Sequence, residues 1–279
     1  MSAAATGGRI YVVGGFAPDR STVATVEVYD VAARSWSAGP DLPIAVNHPM
    51  AGELDGIIYV FGGYLGPGLT RATTRAFALE NGEWRRLPDM PQPRAAGGAA
   101  AVDGRLFVVG GTVSETTDLA QRTLVFDPGS NGWSTARGLL TPRQHLGVAS
   151  FDGQLFAMGG RIVGRFTNLG AAERFDQAKE RWVRLPDIPT PRGGLAAAAT
   201  DNGFIVTAGG EAPAPTALEE VEAFDVQAGR WRSLPPLPHP RHGLAVVAVG
   251  STVYVIDGGP RPGGNTSDVN EATDLSDLR

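Results

Sequence analysis

Six short runs of mainly apolar residues recur along the chain, and each is four residues long and rich in β-branched or aromatic side chains. Because successive positions are apolar, each run predicts a β-strand that is covered on both faces. Asp-Gly or Asn-Gly, which is typical of a tight hairpin turn, precedes several runs, so each is predicted to be the second strand of a hairpin. The runs occupy residues 10–13, 58–61, 106–109, 155–158, 204–207 and 253–256.

Two further signals repeat with the same period of about 49 residues. A Gly-Gly pair follows each apolar run, at residues 14–15, 62–63, 110–111, 159–160, 209–210 and 258–259. All five tryptophans are spaced by 48 or 49 residues, at Trp36, Trp84, Trp133, Trp182 and Trp231. Between these signals lies a third predicted strand that ends in an aromatic residue and Asp, and the tryptophan marks a fourth. Four short strands per repeat predict a six-bladed β-propeller, with the tryptophans packed where adjacent blades meet.

The Gly-Gly, aromatic-Asp and Trp signals at this spacing resemble the kelch repeat, and the resemblance covers essentially the whole chain. More narrowly, the repeats resemble the bacterial kelch proteins that include the sialic-acid mutarotases. The resemblance implies an all-β, six-bladed kelch-type propeller with four antiparallel strands per blade, forming a single domain over residues 1–279. We place the blades at about residues 1–43, 44–91, 92–140, 141–189, 190–238 and 239–279.

The sixth blade is predicted to lack its outer strand. Residues 2–9 match residues 98–105, so the first blade has its own inner strand, and the sequence ends at Arg279, about where a sixth tryptophan strand would begin. Bacterial kelch proteins usually supply that strand from an N-terminal Trp…Pro…Pro-Arg segment, often behind an export signal. No such segment is visible here, so we expect a shortened chain, a misplaced start or a three-stranded last blade.

Composition and charge narrow the classes of function. Gly and Pro make up 59 of the 279 residues, which is typical of a folded, turn-dense chain rather than of a low-complexity one. The absence of cysteine excludes disulfides, thiolate metal sites and the Tyr–Cys cross-link of kelch-type copper radical oxidases. A net charge of −5 without a basic block argues against nucleic acid, and no apolar run reaches the ~18 residues of a membrane span. We expect no cofactor, no nucleic-acid or membrane partner, and a monomer.

The compartment stays open at this point. The N-terminus has neither a basic nor an apolar segment of the kind found in signal peptides, so the sequence indicates a soluble protein without a visible export signal. Similar proteins, however, are often exported.

A repeated Pro-Arg segment precedes the inner strands of blades 3 to 6, on the face where the loops after the Gly pairs also lie. One interpretation is a ring of guanidinium groups that binds a carboxylate or phosphate at the channel mouth. The favoured interpretation is structural, with each arginine acting as a strut between blades and paired with Glu173, Glu222 or Glu271. In blade 2, Val46 then takes the place of the arginine and Arg75 that of the glutamate. In blade 3, Leu124 takes the place of the glutamate. The arginines are Arg94, Arg143, Arg192 and Arg241.

Three of the four histidines are predicted to converge on this same face. Alignment of Val46 with Arg94 and Arg143 places His48 and His145 at equivalent positions, with Asn47, Gln144 and His242 one residue earlier. In kelch domains that bind ligands, this segment often lines the pocket, so the resemblance implies ligand contacts for these five residues. Each can equally be a solvated surface residue. A three-histidine metal site is disfavoured because nothing in the spacing is typical of metal ligands.

The loops after the Gly pairs add further polar residues, namely Arg20, Tyr64, Arg161, Arg165, Glu211 and Arg261. Together with the Pro-Arg segments they predict a basic rim on an acidic protein, and hence a small anionic ligand or an acidic peptide as partner. The preferred function is a binding module that uses this rim. The alternative, from the resemblance to sialic-acid mutarotases, is an isomerase-like enzyme acting on a carboxylated small molecule. In it His48 or His145 would perform acid–base chemistry while Arg143 and Arg192 hold the substrate carboxylate.

Overall fold

The computed structural model describes residues 1–214 and 216–278, with the side chain of Arg165 also outside the description. The described chain forms six antiparallel sheets, which are the blades of a β-propeller. Blade 1 contains β1 (Ser2–Thr6), β2 (Arg9–Phe16), β3 (Thr22–Asp30) and β4 (Ser35–Ala38). Blade 2 contains β5 (Met50–Leu54), β6 (Ile57–Phe61), β7 (Ala76–Glu80) and β8 (Glu83–Arg86). Blade 3 contains β9 (Gly98–Val102), β10 (Arg105–Val109), β11 (Arg122–Asp127) and β12 (Gly132–Arg137).

The second half of the chain repeats this arrangement with one difference. Blade 4 contains β13 (Gly147–Phe151), β14 (Gln154–Met158), β15 (Ala172–Asp176) and β16 (Arg181–Leu185), with a short 3₁₀ helix at Arg165–Thr167. Blade 5 contains β17 (Ala196–Ala199), β18 (Phe204–Ala208), β19 (Val221–Asp225) and β20 (Arg230–Ser233). Blade 6 contains β21 (Ala245–Val249), β22 (Thr252–Ile256) and β23 (Asn270–Asp274). The predicted six-bladed propeller with a three-stranded sixth sheet is therefore confirmed.

The inner strands surround a central channel, and the ring closes where β21 contacts β1. The hydrophobic core is divided among the six junctions, because each main apolar cluster combines residues of two adjacent blades. Across the closing junction, for example, Ile10 and Val12 of blade 1 pack with Val247 and Ile256 of blade 6. No helix among the described residues is long and apolar enough to cross a bilayer.

The Gly-Gly pairs are explained by close contact between neighbouring blades. Gly62 and Gly63 both have positive φ, at 58° and 102°. A Cβ on Gly62 would overlap the carbonyl oxygen of Arg94 in the next blade, and the N–H of Gly63 donates to that same oxygen at 2.8 Å. A side chain at Gly62 is therefore excluded both by the backbone conformation and by the approach of the next blade, and one at Gly63 by the backbone conformation and by Val46 and Asn47 of its own blade.

The sixth pair lies one residue earlier than the sequence indicated. The predicted pair was Gly258-Gly259, but the positions equivalent to Gly62-Gly63 are Asp257 and Gly258, with φ of 54° and 94°. The N–H of Asp257 donates to the carbonyl of Val269, as the N–H of Gly62 does to a residue before the third strand of its own blade. An Asp therefore occupies a left-handed position that glycine fills in the other blades, which is unusual but tolerated for Asp.

Four of the five tryptophans pack at the blade junctions, as predicted, whereas Trp36 is 43 % exposed. The indole N–H of Trp133 donates to the carbonyl of Pro88 at 2.9 Å, and that of Trp231 donates to Pro186 at 2.8 Å, in each case across to the preceding blade. Trp84 and Trp182 make the corresponding bonds. Because the indole has only this one donor, the bond fixes how the outer strand sits on its neighbour.

Candidate functional site

A cavity of about 640 Å³ opens at one mouth of the central channel. The segments leading into the inner strands and the loops after the Gly-Gly positions form its wall, because in each blade both lie on the same face. Phe16 and Leu69 contribute apolar surface. Its ionisable side chains are Arg20, His48, His145, Arg161, Glu211 and His242, and Ser2, Asn265 and Thr266 add neutral polar groups.

A ring of backbone hydrogen bonds holds this wall together from blade 2 to blade 6. Five equivalent residues, one per blade, have positive φ: His48, Ala96, His145, Gly194 and Gly243, with values between 51° and 69°. The N–H of each of the last four donates to the carbonyl of the one before it, from Ala96 to His48 at 3.1 Å through to Gly243 and Gly194 at 2.7 Å. The sequence prediction that His48 and His145 are equivalent is thus met in the backbone geometry, and their rings lie 4.9 Å apart.

Asn47 fixes the protonation pattern of the His48 ring. The Asn47 amide nitrogen donates to the carbonyl oxygen of Gly66 at 2.8 Å and to the hydroxyl of Thr22 at 2.9 Å. Its Oδ1 therefore faces Nδ1 of His48, at 2.8 Å. Because this oxygen can only accept, Nδ1 carries the proton, and Nε2 keeps a free lone pair.

His145 is held in the same tautomer. The side-chain nitrogen of Gln144 donates to the carbonyls of Thr116 and Ile162, so its oxygen accepts from Nδ1 of His145 at 2.6 Å. The ring of His242 instead lies beside two backbone partners, the carbonyl oxygen of Gly259, 3.0 Å from Nδ1, and the backbone of Gly263. The cavity is therefore lined by two imidazoles, those of His48 and His145, whose Nε2 atoms can accept a hydrogen bond from a ligand.

All three rings are neutral at physiological pH. Burial is the main cause in each case, and the positive charge of Arg161 acts in the same direction. The pKa of His48 is lowered to about 3, that of His145 falls well below its usual value, and that of His242 is also lowered. Neutral imidazoles do not make the cavity basic, so the predicted basic rim is not provided by its histidines.

At the residues immediately after the Gly-Gly positions, side chains of neighbouring blades are paired. Arg161 of blade 4 forms an ion pair with Glu211 of blade 5, and both line the cavity. Tyr64 of blade 2 bonds through its hydroxyl to Thr112 of blade 3 at 2.5 Å. Sequence reasoning counted Glu211 among the residues of a basic rim, whereas it neutralises one of the two cavity arginines. Its position directly after a Gly-Gly pair was the available signal.

The predicted ring of ligand-binding arginines is wrong, because these side chains lie inside the blades. Arg94, Arg143, Arg192 and Arg241 are at most 1 % exposed, and none lines the cavity. Asn47 and Gln144 are likewise fully buried and hold the histidines from behind rather than facing a ligand. Of the predicted contacts, His48, His145, His242 and Arg161 line the cavity.

The predicted pairing of the arginines with glutamates is found, but it joins strands of one blade rather than two blades. Arg143 and Glu173 are 2.5 Å apart, and Arg241 and Glu271 are 2.9 Å apart. Arg192 and Glu222 form the same pair in blade 5. What links the blades is the arginine backbone, since the carbonyl of Arg143 accepts from the N–H of Gly111 in blade 3 at 2.9 Å.

In blades 2 and 3, the positions equivalent to the Arg–Glu pair are occupied by residues that do not form an ion pair with each other. In blade 2 the third-strand position is occupied by Phe77 and not, as predicted, by Arg75, because Phe77 is the residue opposite Val60 in the sheet register. Arg75 instead pairs with Asp89 at 3.0 Å. In blade 3 Arg94 donates to two backbone carbonyls and to the neutral side chain of Gln92, and burial lowers its pKa to about 10.

The remaining predicted loop residues are divided between two environments. Arg20 is exposed and lines the cavity, whereas Arg261 is exposed but lies outside its lining. The side chain of Arg165 is outside the described part of the structure. Among the described residues, no group of three or more His, Cys, Asp or Glu side chains is placed to hold a metal ion.

Comparisons with known proteins decide the family. The KLHDC2/KLHL20/DRC7 Kelch-repeats domain matches residues 53–259, and a Kelch motif matches residues 1–43. The chain belongs to the kelch-repeat family. Among solved structures, the kelch propeller is similar to one titled "Structure of YjhT", with 16 % identity, a TM-score of 0.84, and coverage of 100 % of this chain and 95 % of that one. Comparison with curated protein sequences finds no significant match.

In this kelch propeller, the residues of the repeat and the residues of the cavity are different sets. The Gly, Arg and Trp positions recur from blade to blade and hold the blades together. His48 and His145 occupy one backbone position, at which other blades carry Ala or Gly, and Arg161 and Glu211 occupy another, at which other blades carry Gly, Phe, Tyr or Thr. His242 occupies a third, at which other blades carry Asn, Ala, Gln or Gly. Residues that differ among structurally equivalent positions are not needed for the fold, so they are the candidates for function.

Proposed function

We propose that this kelch propeller is a binding module whose channel cavity holds a small polar ligand, or the end of a protein segment, that carries hydroxyl or N–H donors and one anionic group. Kelch propellers are commonly protein-binding modules. The observation that carries the proposal is the pair of neutral imidazoles, His48 and His145, whose Nε2 lone pairs can accept from a ligand in one cavity. A volume of about 640 Å³ is in the range of small-molecule sites.

The anionic group is assigned from the balance of charge in the cavity. Arg161 is neutralised by Glu211, whereas Arg20 makes no ion pair with any described carboxylate. A carboxylate or phosphate beside Arg20 would balance the charge of this arginine, and charge-assisted bonds of this kind are the stronger ones in a partly dry site. The hydroxyl groups of the same ligand would donate to the histidines. A carboxylated sugar satisfies both requirements.

Enzymatic activity is the second candidate, and the presence of Glu211 in the same cavity as unprotonated imidazoles favours it. Mutarotation requires a proton to be removed from one sugar oxygen and delivered to another, which a carboxylate and an imidazole can do. Binding remains the better supported function, because a pKa of about 3 makes His48 a weak base at neutral pH.

Calorimetric titration of the purified protein tests the binding proposal. The ligands are sialic acid, its methyl ester, which lacks the negative charge, and a plain dicarboxylate, which lacks the hydroxyl groups. We expect the sugar acid to bind and both analogues to bind at least about tenfold more weakly. The ester loses the charge-assisted hydrogen bonds and the dicarboxylate loses the hydroxyl hydrogen bonds, and either loss costs more than about 1 kcal/mol. Equal affinity for all three compounds, or no binding of any of them, would overturn the proposal.

Variants separate the cavity from the rest of the surface. His48→Ala and His145→Ala are each expected to weaken binding by about tenfold, since each removes one acceptor. His239→Ala is the matched control, because the side chain of His239 is 67 % exposed and does not line the cavity. Exchange of the two anomers, followed by NMR, decides between binding and mutarotation. Exchange that the protein accelerates and that His48→Ala or His145→Ala slows would establish the enzyme.

A further inference from the structure

A second concave surface lies on the outside of the propeller, between the outer strands of blades 3 and 4. We call it the outer groove. Four arginines, one exposed leucine and one tryptophan define it: Arg122, Arg137, Leu140, Arg181, Trp182 and Arg184. None of the described residues that line it is acidic, although the chain as a whole carries a net charge of −5.

The arginines of the outer groove are mostly without counter-charges. Arg184 pairs with Asp187 at 3.1 Å, in a pair whose side chains are 62 % and 51 % exposed. Among the described residues, no carboxylate lies within ion-pair distance of Arg122, Arg137 or Arg181. Arg122 and Arg137 are moreover directly opposite each other on β11 and β12. Like charges at such cross-strand positions destabilise a sheet, so the fold does not benefit from this arrangement.

The cluster is also not a property of the repeat. The positions equivalent to Arg181 and Arg184 in blade 3 are Gly132 and Thr135, and at the junction of blades 2 and 3 the single Arg75 is paired with Asp89. At the junction of blades 4 and 5, Ala171 and Pro186 replace Arg122 and Arg137. A feature needed to build a propeller recurs in each blade. A cluster that occurs at one junction, against a local cost in stability, requires another explanation.

Charge and shape together indicate what the outer groove accepts. Unpaired guanidinium groups bind carboxylates well, and often through two parallel hydrogen bonds. The groove runs beside β12 and β16, which are outer edge strands and so leave backbone N–H and C=O groups available to an added strand. β12 has six residues, roughly 20 Å of extended chain. Leu140, 60 % exposed, offers an apolar contact that a peptide side chain can use.

We propose that the outer groove is a docking site for an extended acidic peptide segment of a partner protein. Carboxylates at alternate positions of the segment would meet Arg122, Arg137 and Arg181. A nucleic acid fits less well, since the acidic chain as a whole repels a long polyanion. This proposal is independent of the channel cavity, which lies on another surface of the propeller.

Fluorescence anisotropy with a defined probe tests it. The probe is a fluorescein-labelled octapeptide of alternating Glu and Thr, and its comparison is the same peptide with Gln in place of Glu. We expect the acidic peptide to bind, with an affinity that decreases as salt increases, and the Gln peptide to bind at least about tenfold more weakly. The triple variant Arg122→Gln/Arg137→Gln/Arg181→Gln is expected to lose binding of the acidic peptide by at least about tenfold.

A matched triple variant controls for net charge. Arg9→Gln/Arg85→Gln/Arg86→Gln removes the same three charges from exposed positions outside the groove, where the side chains are 48–59 % exposed. It should leave peptide affinity within about twofold of the parent, since surface changes away from the contact have small effects. Three results would overturn the proposal: an equal loss of peptide affinity in both variants, no binding of the acidic peptide, or tighter groove-dependent binding of a single-stranded oligonucleotide. Should the groove variant not fold, the single change Arg181→Gln provides the same comparison against Arg85→Gln.

Discussion

Replacing Glu173 by Gln tests how much the buried ion pairs contribute to the blades. Glu173 is 2 % exposed and its partner Arg143 is fully buried. The carboxylate accepts from the guanidinium at 2.5 Å and from the backbone N–H groups of Leu140 and Thr141 at 2.8 and 3.3 Å. Glutamine has the same shape but presents one acceptor oxygen instead of two, and it leaves the Arg143 cation buried without a counter-charge.

The expected loss follows from the burial of both partners. Breaking a buried pair by removing one charge costs about 3–5 kcal/mol. A folded domain has only about 5–15 kcal/mol of free energy of unfolding, so the variant loses a large part of its stability. The control is Glu80→Gln, which breaks the exposed pair with Arg85, whose side chains are 32 % and 48 % exposed. Exposed pairs contribute at most about 1 kcal/mol.

Urea unfolding followed by tryptophan fluorescence measures both variants, and Trp182 in the same blade is a buried reporter. A double variant, Arg143→Val/Glu173→Phe, copies the Val46 and Phe77 arrangement of blade 2. It is expected to recover most of the loss, because a buried pair can be replaced by apolar residues at little cost while half a pair cannot. The reasoning is refuted if Glu173→Gln unfolds within 1 kcal/mol of the parent, or if the double variant is less stable than the single one.

Three further predictions address the channel side of the fold. Burial raises the pKa of Asp257 to about 6, so the ionised carboxylate destabilises the folded state. Asp257→Asn should therefore raise the free energy of unfolding by about 1–3 kcal/mol at pH 8 and have little effect below pH 4. Urea unfolding midpoints at the two pH values would show this difference. Gly62→Ala should lower the free energy of unfolding by more than about 3 kcal/mol, because the new Cβ overlaps a backbone carbonyl. Gly56 has a φ of 84° and open space around it, so Gly56→Ala should cost only about 1 kcal/mol of backbone strain. Equal losses of stability by calorimetry would contradict this. Asn47→Leu removes the acceptor that fixes His48, so nitrogen NMR should show a mixture of ring tautomers where the parent shows only the Nδ1–H form.

The propeller could be predicted from the sequence because its signals are repeated. A single Gly-Gly pair or a single tryptophan has many explanations, but the spacing of Trp84, Trp133, Trp182 and Trp231 has one, and the structure shows the same indole bond at each. Repetition did not help where blades differ in loop length. Arg75 and Phe77 are two residues apart and were confused because the loop before β7 is two residues longer than the corresponding loop of blade 5.

The candidate site was predicted only in part, because a Pro-Arg repeat does not reveal where its side chain points. Arg143 lies near the channel mouth in sequence but turns into its own blade, where Glu173 and backbone carbonyls surround it. His48 and His145 were found because they share a register with each other. The role of Glu211 depends on its contact with Arg161 in another blade, and no local pattern predicts a contact over 50 residues.

The ring of backbone hydrogen bonds at the channel mouth has an evolutionary consequence. Its five members are joined through N–H and C=O groups, so the ring does not depend on which side chains they carry. Gly243 has no atom within 4 Å of the place where a Cβ would stand, and its φ of 60° is close to the 52° of His145. A residue that tolerates this conformation, such as Asn or His, can enter there with little disturbance to the blades. The lining of this channel can therefore change its specificity one blade at a time while the scaffold stays the same.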